Sequence, residues 1–373
     1  MGASKPKNYN EELQAVRAIA ILLVLVSHMQ IAFFPWGSEH WAHIGKGFYV
    51  GVDLFFCLSG FVITKSLSRS LLMAAGDDFW RQTAAFWVRR LYRITPSAWV
   101  WLVVPFLFYT MYRGYSKDDM TDIVAAVVHV ANIRSWQCAW MAGSCGWFGH
   151  YWSLSLEEQF YLLFPILFLI FRNRFAFVLI GIVFVQVFLP RPLGSFLGAI
   201  KTDAIMLGVL LALWSSTPSY KIFEPHLTKS RLRFIIPALL VACLVGLARY
   251  EPVPFFVGMI AIVSALIIWL CSYEKGYFIQ AGPLREWLSW VGERSFAIYL
   301  VHPFAFTVAR LGFEKVYPNV QLNGTFTLRI ALAAILLTMT LSEISYRFIE
   351  IPCRRRGAAR SSSIVGAGIP MRG

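Results

Sequence analysis

The sequence predicts an all-α, polytopic integral membrane protein with about ten transmembrane helices and both termini in the cytoplasm. Three observations predict it. Of 373 residues, 58% are hydrophobic and only 14% charged, whereas soluble domains carry about 25% charged residues. The mean hydropathy is +0.60. Apolar runs recur along the chain near the length of ~20 residues that a helix needs to cross a bilayer. Together these exclude a soluble cytosolic enzyme, a disordered chain, a collagen and a secreted disulfide scaffold.

The ten runs are Leu13–Phe34, Phe48–Ile63, Ile94–Tyr112, Leu154–Phe171, Phe175–Leu189, Phe196–Trp214, Phe234–Ala248, Val253–Ser272, Trp287–Phe306 and Ile330–Phe348. The first has a core like that of a signal peptide, Ile19–Val26, but no small-residue cleavage site follows it. It reads as a retained span. The longest loop, Arg113 to Tyr151, holds a 13-residue apolar run, Thr121–Ile133. That run is too short to cross and predicts an interfacial or re-entrant helix. The divisions that follow are a short cytoplasmic N-terminus (1–10), a membrane domain (11–352) and a disordered basic cytoplasmic tail (353–373), the last because it is rich in Arg, Ser and Gly.

Charge sets the orientation. The net charge is +14. With the N-terminus inside, the inner segments hold 22 Lys and Arg against 9 in the outer ones. This is the positive-inside pattern, and it explains the basic balance better than nucleic acid, which is not an expected partner. Membrane lipids are. Six cysteines form no CxxC pair, so zinc and thioredoxin-like readings are weak and no metal is expected. Cys138 and Cys145 share the long outer loop. A disulfide and two free thiols are both open readings.

The chain has no GxSxG, GxxxxGK[ST], HExxH or HxxxxD pattern, which removes the anchors of hydrolase, NTPase and metalloprotease readings. What remains is a set of ionisable residues inside apolar runs, where each is costly and so a functional candidate. Arg17 and His28 are eleven residues apart. Eleven steps of ~100° return to within about 20° of one helical face, about 16.5 Å further along. They cannot touch each other, but they can touch one long ligand. Asp53 stands in GVDLFFCLSGFVIT, with Ser59 and Gly60 where small residues let helices approach; as a helix N-cap it has a purely structural reading. Arg89, Arg90 and Arg93 can share a face at the cytoplasmic boundary. There they suit phosphates or serve as anchors. In HYWSLSLEEQFYLLFP, Ser155 and Glu158 fit a capping box, which leaves Glu157 near the mouth of an apolar span. Tyr299 and His302 stand in ERSFAIYLVHPFAF, and His302 reads equally as structural or catalytic. Lys201 and Asp203 in KTDAIMLG can neutralise each other at one helix start.

From about Asn10 to Arg355 the chain resembles the acyltransferase 3 family of integral membrane O-acyltransferases. The resemblance rests on ordered motifs: Arg17 and His28 as R-x10-H, then GVDLFFCLSGFVIT, FWVRRLYRITP, YWSLSLEEQFYLLFP, KTDAIMLG, SFAIYLVHPF and SYRFIEIP. The family often has Arg where Lys201 stands, and its outer loops vary. Some members carry an added SGNH-type domain, and a member without one is expected here. The resemblance implies an enzyme that transfers acyl groups other than aminoacyl, usually acetyl, from cytoplasmic acyl-CoA to a hydroxyl. The acceptor is a carbohydrate or lipid-linked glycan of the cell envelope, and the location a bacterial inner membrane. Acyl-CoA is a donor substrate; no permanently bound cofactor is expected. The catalytic candidates are His28, as general base or acyl carrier, with Glu157 to orient it, and Glu158 and Asp53. The donor-binding candidates are Arg17, Arg89, Arg90 and Arg93. Ser59, Tyr299, His302, Lys201 and Asp203 are further candidates. A polytopic transporter or flippase of a glycan or lipid precursor is the rival reading, and a non-catalytic membrane scaffold a second. Against the transporter stand the Arg cluster on the donor side with a single catalytic-type His and the lack of a visible inverted repeat; a scaffold would not need R-x10-H and the EEQFY segment together.

Overall fold

The computed structural model describes residues 10–33, 45–74, 76–140, 145–192, 194–225, 232–320 and 323–366. The expected N-terminal segment therefore lies almost wholly outside the described residues. The described chain is all-α, and among the described residues each of the ten apolar runs falls mostly on helix. In order these are α1 (Glu11–Phe33), α2 (Gly51–Met73), α3 (Gly76–Arg113), α4 (Lys117–Val127), α5 (Ala131–Trp140), α6 (Tyr151–Phe171), α7 (Phe175–Phe188), α8 (Phe196–Ala199), α9 (Asp203–Trp214), α10 (Ser219–Ile222), α11 (Leu232–Tyr250), α12 (Phe256–Ser272), α13 (Pro283–Glu293), α14 (Ser295–Val316), α15 (Thr327–Ser345) and α16 (Ile351–Gly366).

Seven helical stretches among the described residues are long and apolar enough to span a membrane. The sequence reading expects about ten. The difference has two sources. Ile235–Tyr250 and Phe256–Ser272 are apolar but shorter. Tyr151–Phe188, expected as two spans, counts as one stretch interrupted at Arg172, whose φ of 34° breaks the helix between α6 and α7.

Small residues decide the tightest crossing. A Cβ on Gly60 of α2 would overlap the Ile205 carbonyl of α9, and one on Gly208 would overlap the Cys57 carbonyl. The two backbones touch because neither position carries a side chain. That contact also sets Asp53, two turns before Gly60, beside Lys201, just ahead of α9. α1 lies against α2, α13 and α14 and buries Ala15, Val16, Ala18, Ile21 and Val24. It therefore runs through the centre of the bundle.

Three local expectations are corrected. The Thr121–Ile133 run is not one helix: α4 ends and α5 begins on either side of His129, whose φ is 57°. Ser155 and Glu158 form no capping box, because α6 starts four residues earlier, at Tyr151. Ser155 Oγ instead accepts from the Ala131 N–H, 3.2 Å away, at the start of α5. The tail from 353 is not disordered up to Gly366. A π turn, Tyr346–Glu350, leads from α15 into α16, which packs along α3 with Gly357 against the Tyr92 ring. Cys138 and Cys145 are joined by a disulfide with Cα atoms 5.7 Å apart.

Candidate active site

Two helices carry the site from one end of the bundle to the other. α1 presents Arg17 near its start and His28 near its end. α14 presents Ser295, Phe296 and Tyr299 to one cavity, then His302, then Pro303 to Glu314 to another. At 1.5 Å per residue, Arg17 and His28 stand about 16 Å apart along α1, and Ser295 and His302 about 10 Å apart along α14.

The first cavity holds about 790 Å³ with its open mouth counted. Arg17, Arg90 and Arg93 line it, with Ser59, Glu157 and Tyr161. Among the described residues the three arginines form no ion pair. Arg17 Nη1 donates to Gln14 Oε1 at 3.1 Å. The Arg90 guanidinium lies over the rings of Phe86 and Tyr161, 5.7 and 5.3 Å from their centroids. Arg89 is not part of the cluster. One residue is a ~100° turn on a helix, and Arg89 Nη1 points instead to Ser361 Oγ of α16.

Glu157 is also placed differently from expectation. Ser59 Oγ and Tyr161 OH each donate to its carboxylate at 3.0 Å. It lines the arginine cavity and is not brought to His28. The cause is the early start of α6, which carries Glu157 about two turns into the helix rather than to its mouth. Glu158, one step round, lines none of the three cavities, and its Oε1 is buried without a hydrogen-bond partner.

His28 lines two further cavities. Its Nδ1 lies 3.0 Å from the Val24 carbonyl. A carbonyl only accepts, so Nδ1 carries the proton and Nε2 keeps its lone pair. His302 is fully buried, its ring centroid 4.9 Å from that of His28. Pro303 explains its orientation. Proline has no N–H, so the Tyr299 carbonyl four residues back loses its helical partner, and His302 Nδ1 supplies one at 2.8 Å. The His150 ring adds a third imidazole, 5.9 Å from that of His302. Tyr299 joins the groups: its hydroxyl donates to the His150 carbonyl and lies 2.7 Å from Ser153 Oγ. Ser153 and Tyr299 line the arginine cavity as well, so its inner end abuts the imidazoles. Reading the sequence did not single out His150. The three histidines come from separate parts of the chain, and no spacing links them.

Asp53 is not an N-cap. Lys201 Nζ donates to both its oxygens, at 2.7 and 2.9 Å. Lys201 therefore does not neutralise Asp203, which takes a bidentate bond from Arg191 at 2.9 and 2.6 Å. Arg191 is buried, and with Asp53, Lys201, Trp136 and Trp152 it lines the second cavity beside His28.

Residues 10–346 match the family model described as an acyltransferase domain. A putative peptidoglycan O-acetyltransferase of Bacillus subtilis, YrhL, is 29% identical over 94% of this chain and 55% of its own. The peptidoglycan O-acetyltransferase OatA of Listeria monocytogenes is 26% identical over 94% of this chain and 57% of its own. A putative O-acetyltransferase of Staphylococcus aureus is 28% identical over 95% and 58%. The chain thus spans a little more than half the length of these relatives. No solved structure matches it. The family match takes in all the residues that line the arginine cavity and the histidine group, and the chain belongs to the acyltransferase 3 family of membrane proteins.

Proposed function

We propose that this protein transfers an acetyl group from acyl-CoA on the cytoplasmic side of a bacterial inner membrane to a hydroxyl of a cell-envelope glycan on the other side. The observation that carries the reading is the separation of two unlike ends on the same helices: at one, three arginines that form no ion pair among the described residues, at the other an imidazole group in which the Val24 carbonyl holds His28 Nδ1. Relatives named as peptidoglycan O-acetyltransferases support a carbohydrate acceptor. The charge asymmetry of the loops and the Cys138–Cys145 disulfide both support the orientation.

In this reading Arg17, Arg90 and Arg93 take the phosphates of CoA through charge-assisted hydrogen bonds. Arg354 of α16 adds its charge to the field at Arg17 and Arg93. The pantetheine arm runs past Ser59 and Tyr299 and brings the thioester towards His28. His28 Nε2 takes the proton of the acceptor hydroxyl. The oxygen attacks the thioester carbonyl, the C–O bond forms, the C–S bond breaks, and the imidazolium returns its proton to the CoA thiolate. His302 and His150 exclude water around this step.

The test is mass spectrometry of envelope glycans from a strain lacking the gene. The expected result is loss of one acetyl mass per modified residue, restored by the wild-type gene and not by His28→Ala. Unchanged glycan acetylation would remove the reading.

A further inference from the structure

Two cavities reach His28, and they differ in what they can hold. In the cavity of Asp53, Lys201 and Arg191 the carboxylates are committed, since both oxygens of Asp53 are taken by Lys201 and both of Asp203 by Arg191, while Arg191 Nε and the Tyr49 hydroxyl stay unpartnered among the described residues. No carboxylate is left there to receive a new hydroxyl. The other lies between the Cys145–His150 loop and the Pro303–Glu314 segment of α14. It holds about 1530 Å³ with its mouth counted, against about 1000 Å³ for the Asp53 cavity counted the same way, so it has the more room for a sugar unit.

Its wall is prebuilt. The Trp147 N–H donates to Asp119 Oδ1 at 3.0 Å. Its ring lies 5.1 Å from that of Tyr109 and 5.3 Å from the Arg113 guanidinium. Arg113 in turn pairs with Asp119, and the Cys138–Cys145 disulfide fixes the loop two residues earlier. Trp147 still keeps 46% of its surface exposed. At the rim, Arg310 and Glu314 pair at 2.9 Å with side chains about 40% exposed, so exchanging that bond for ligand hydroxyls costs little. Between Trp147 and His150 stands Gly149. A Cβ built there meets no atom within 4 Å. Gly149 and His28 line the same cavity, and the missing side chain leaves open space in its wall.

We propose that this cavity is the acceptor site and takes a pyranose unit of the glycan. The apolar C–H face of the sugar lies on Trp147, its outer hydroxyls meet Arg310 and Glu314, and the room at Gly149 lets one hydroxyl reach His28. The proposal rests on the transferase reading and assigns its second substrate.

The experiment uses the purified full chain in lipid nanodiscs, with acetyl-CoA as donor and chitotetraose as acceptor probe. Gly149→Leu should raise the KM for chitotetraose at least about tenfold while the KM for acetyl-CoA and its slow hydrolysis to water stay unchanged. Trp147→Ala should raise the same KM, and Trp147→Phe should restore most of it. Because the Gly149 Cβ position is empty, Gly149→Ala leaves the fold intact and should give a smaller rise in the same direction. Unchanged acceptor KM in Gly149→Leu and Trp147→Ala, or a rise only in Ala199→Leu in the second cavity, would overturn the placement and leave the transferase reading standing. Donor hydrolysis without transfer to chitotetraose would overturn the pyranose assignment. A wild-type protein that uses no acetyl-CoA at all would remove the transferase reading itself.

Discussion

Two sets of buried charges flank the centre of this bundle, and they are handled in opposite ways. On one flank Asp53 meets Lys201 and Asp203 meets Arg191, each acid with its own base at hydrogen-bond distance. On the other, Arg17, Arg90 and Arg93 gather round a cavity, and the one acid there, Glu157, is bonded to Ser59 and Tyr161 instead. A buried pair ties helices together and fixes their register, because removing either partner strands the other. A cluster of like charges does the reverse, for it repels itself and is retained only where something else supplies the opposite charge. The first set therefore ties the fold together, and the second is the set proposed above to meet the donor's phosphates.

The largest effect should come from breaking a pair. Asp53→Ala or Lys201→Ala strands a buried charge and should cost about 3–5 kcal/mol, read as a large fall in the melting temperature of the purified protein. Removing both together should recover much of that loss. If the single variants melt like wild type, the pair is not what holds α2 against α9.

The next effect sharpens the other flank. Arg90→Ala with Arg93→Ala should leave melting nearly unchanged and raise the KM for acyl-CoA at least about a hundredfold, since two charge-assisted contacts contribute about 1.5–3 kcal/mol each. Arg89→Ala, whose side chain is turned to Ser361 of α16, should raise it far less. Equal effects from Arg89 and Arg93 would dissolve the distinction between a binding and an anchoring arginine.

The smallest effect lies outside both sets. A thiol-reactive mass tag should reach Cys138 and Cys145 only after reduction, and Cys138→Ser with Cys145→Ser should weaken acceptor use without touching donor KM. Tagging without reductant would dispose of the disulfide.

How much of this was legible in the sequence follows from range. The helices could be read because apolar length is a local property. R-x10-H could be read because both residues share one helix, so its geometry follows from 1.5 Å and ~100° per residue. The pairings could not. Asp53 and Lys201 are 148 positions apart, and KTDAIMLG invites the wrong, local pairing of Lys201 with Asp203. Glu157 was misassigned because Ser155 and Glu158 imitate a capping box within a helix that begins earlier. The order of α16 was invisible for a related reason. Its composition reads as a solvated tail, and only α3 beside it supplies Tyr92 and Arg89 as partners. Gly149 left no trace in the sequence at all, because what matters there is the empty space around it.

The central claim is that His28 performs the chemistry while the arginines hold the donor. The most direct measurement is the rate of acyl transfer as a function of acyl-CoA concentration for wild type, Arg17→Ala and His28→Ala, each at matched levels of folded protein. A general base contributes about 10²–10⁴-fold in rate. His28→Ala should therefore stay flat near background at every donor concentration, whereas Arg17→Ala should climb towards the wild-type rate as acyl-CoA is raised. A His28→Ala protein that transfers at the wild-type rate, or that recovers with added acyl-CoA, would contradict the account.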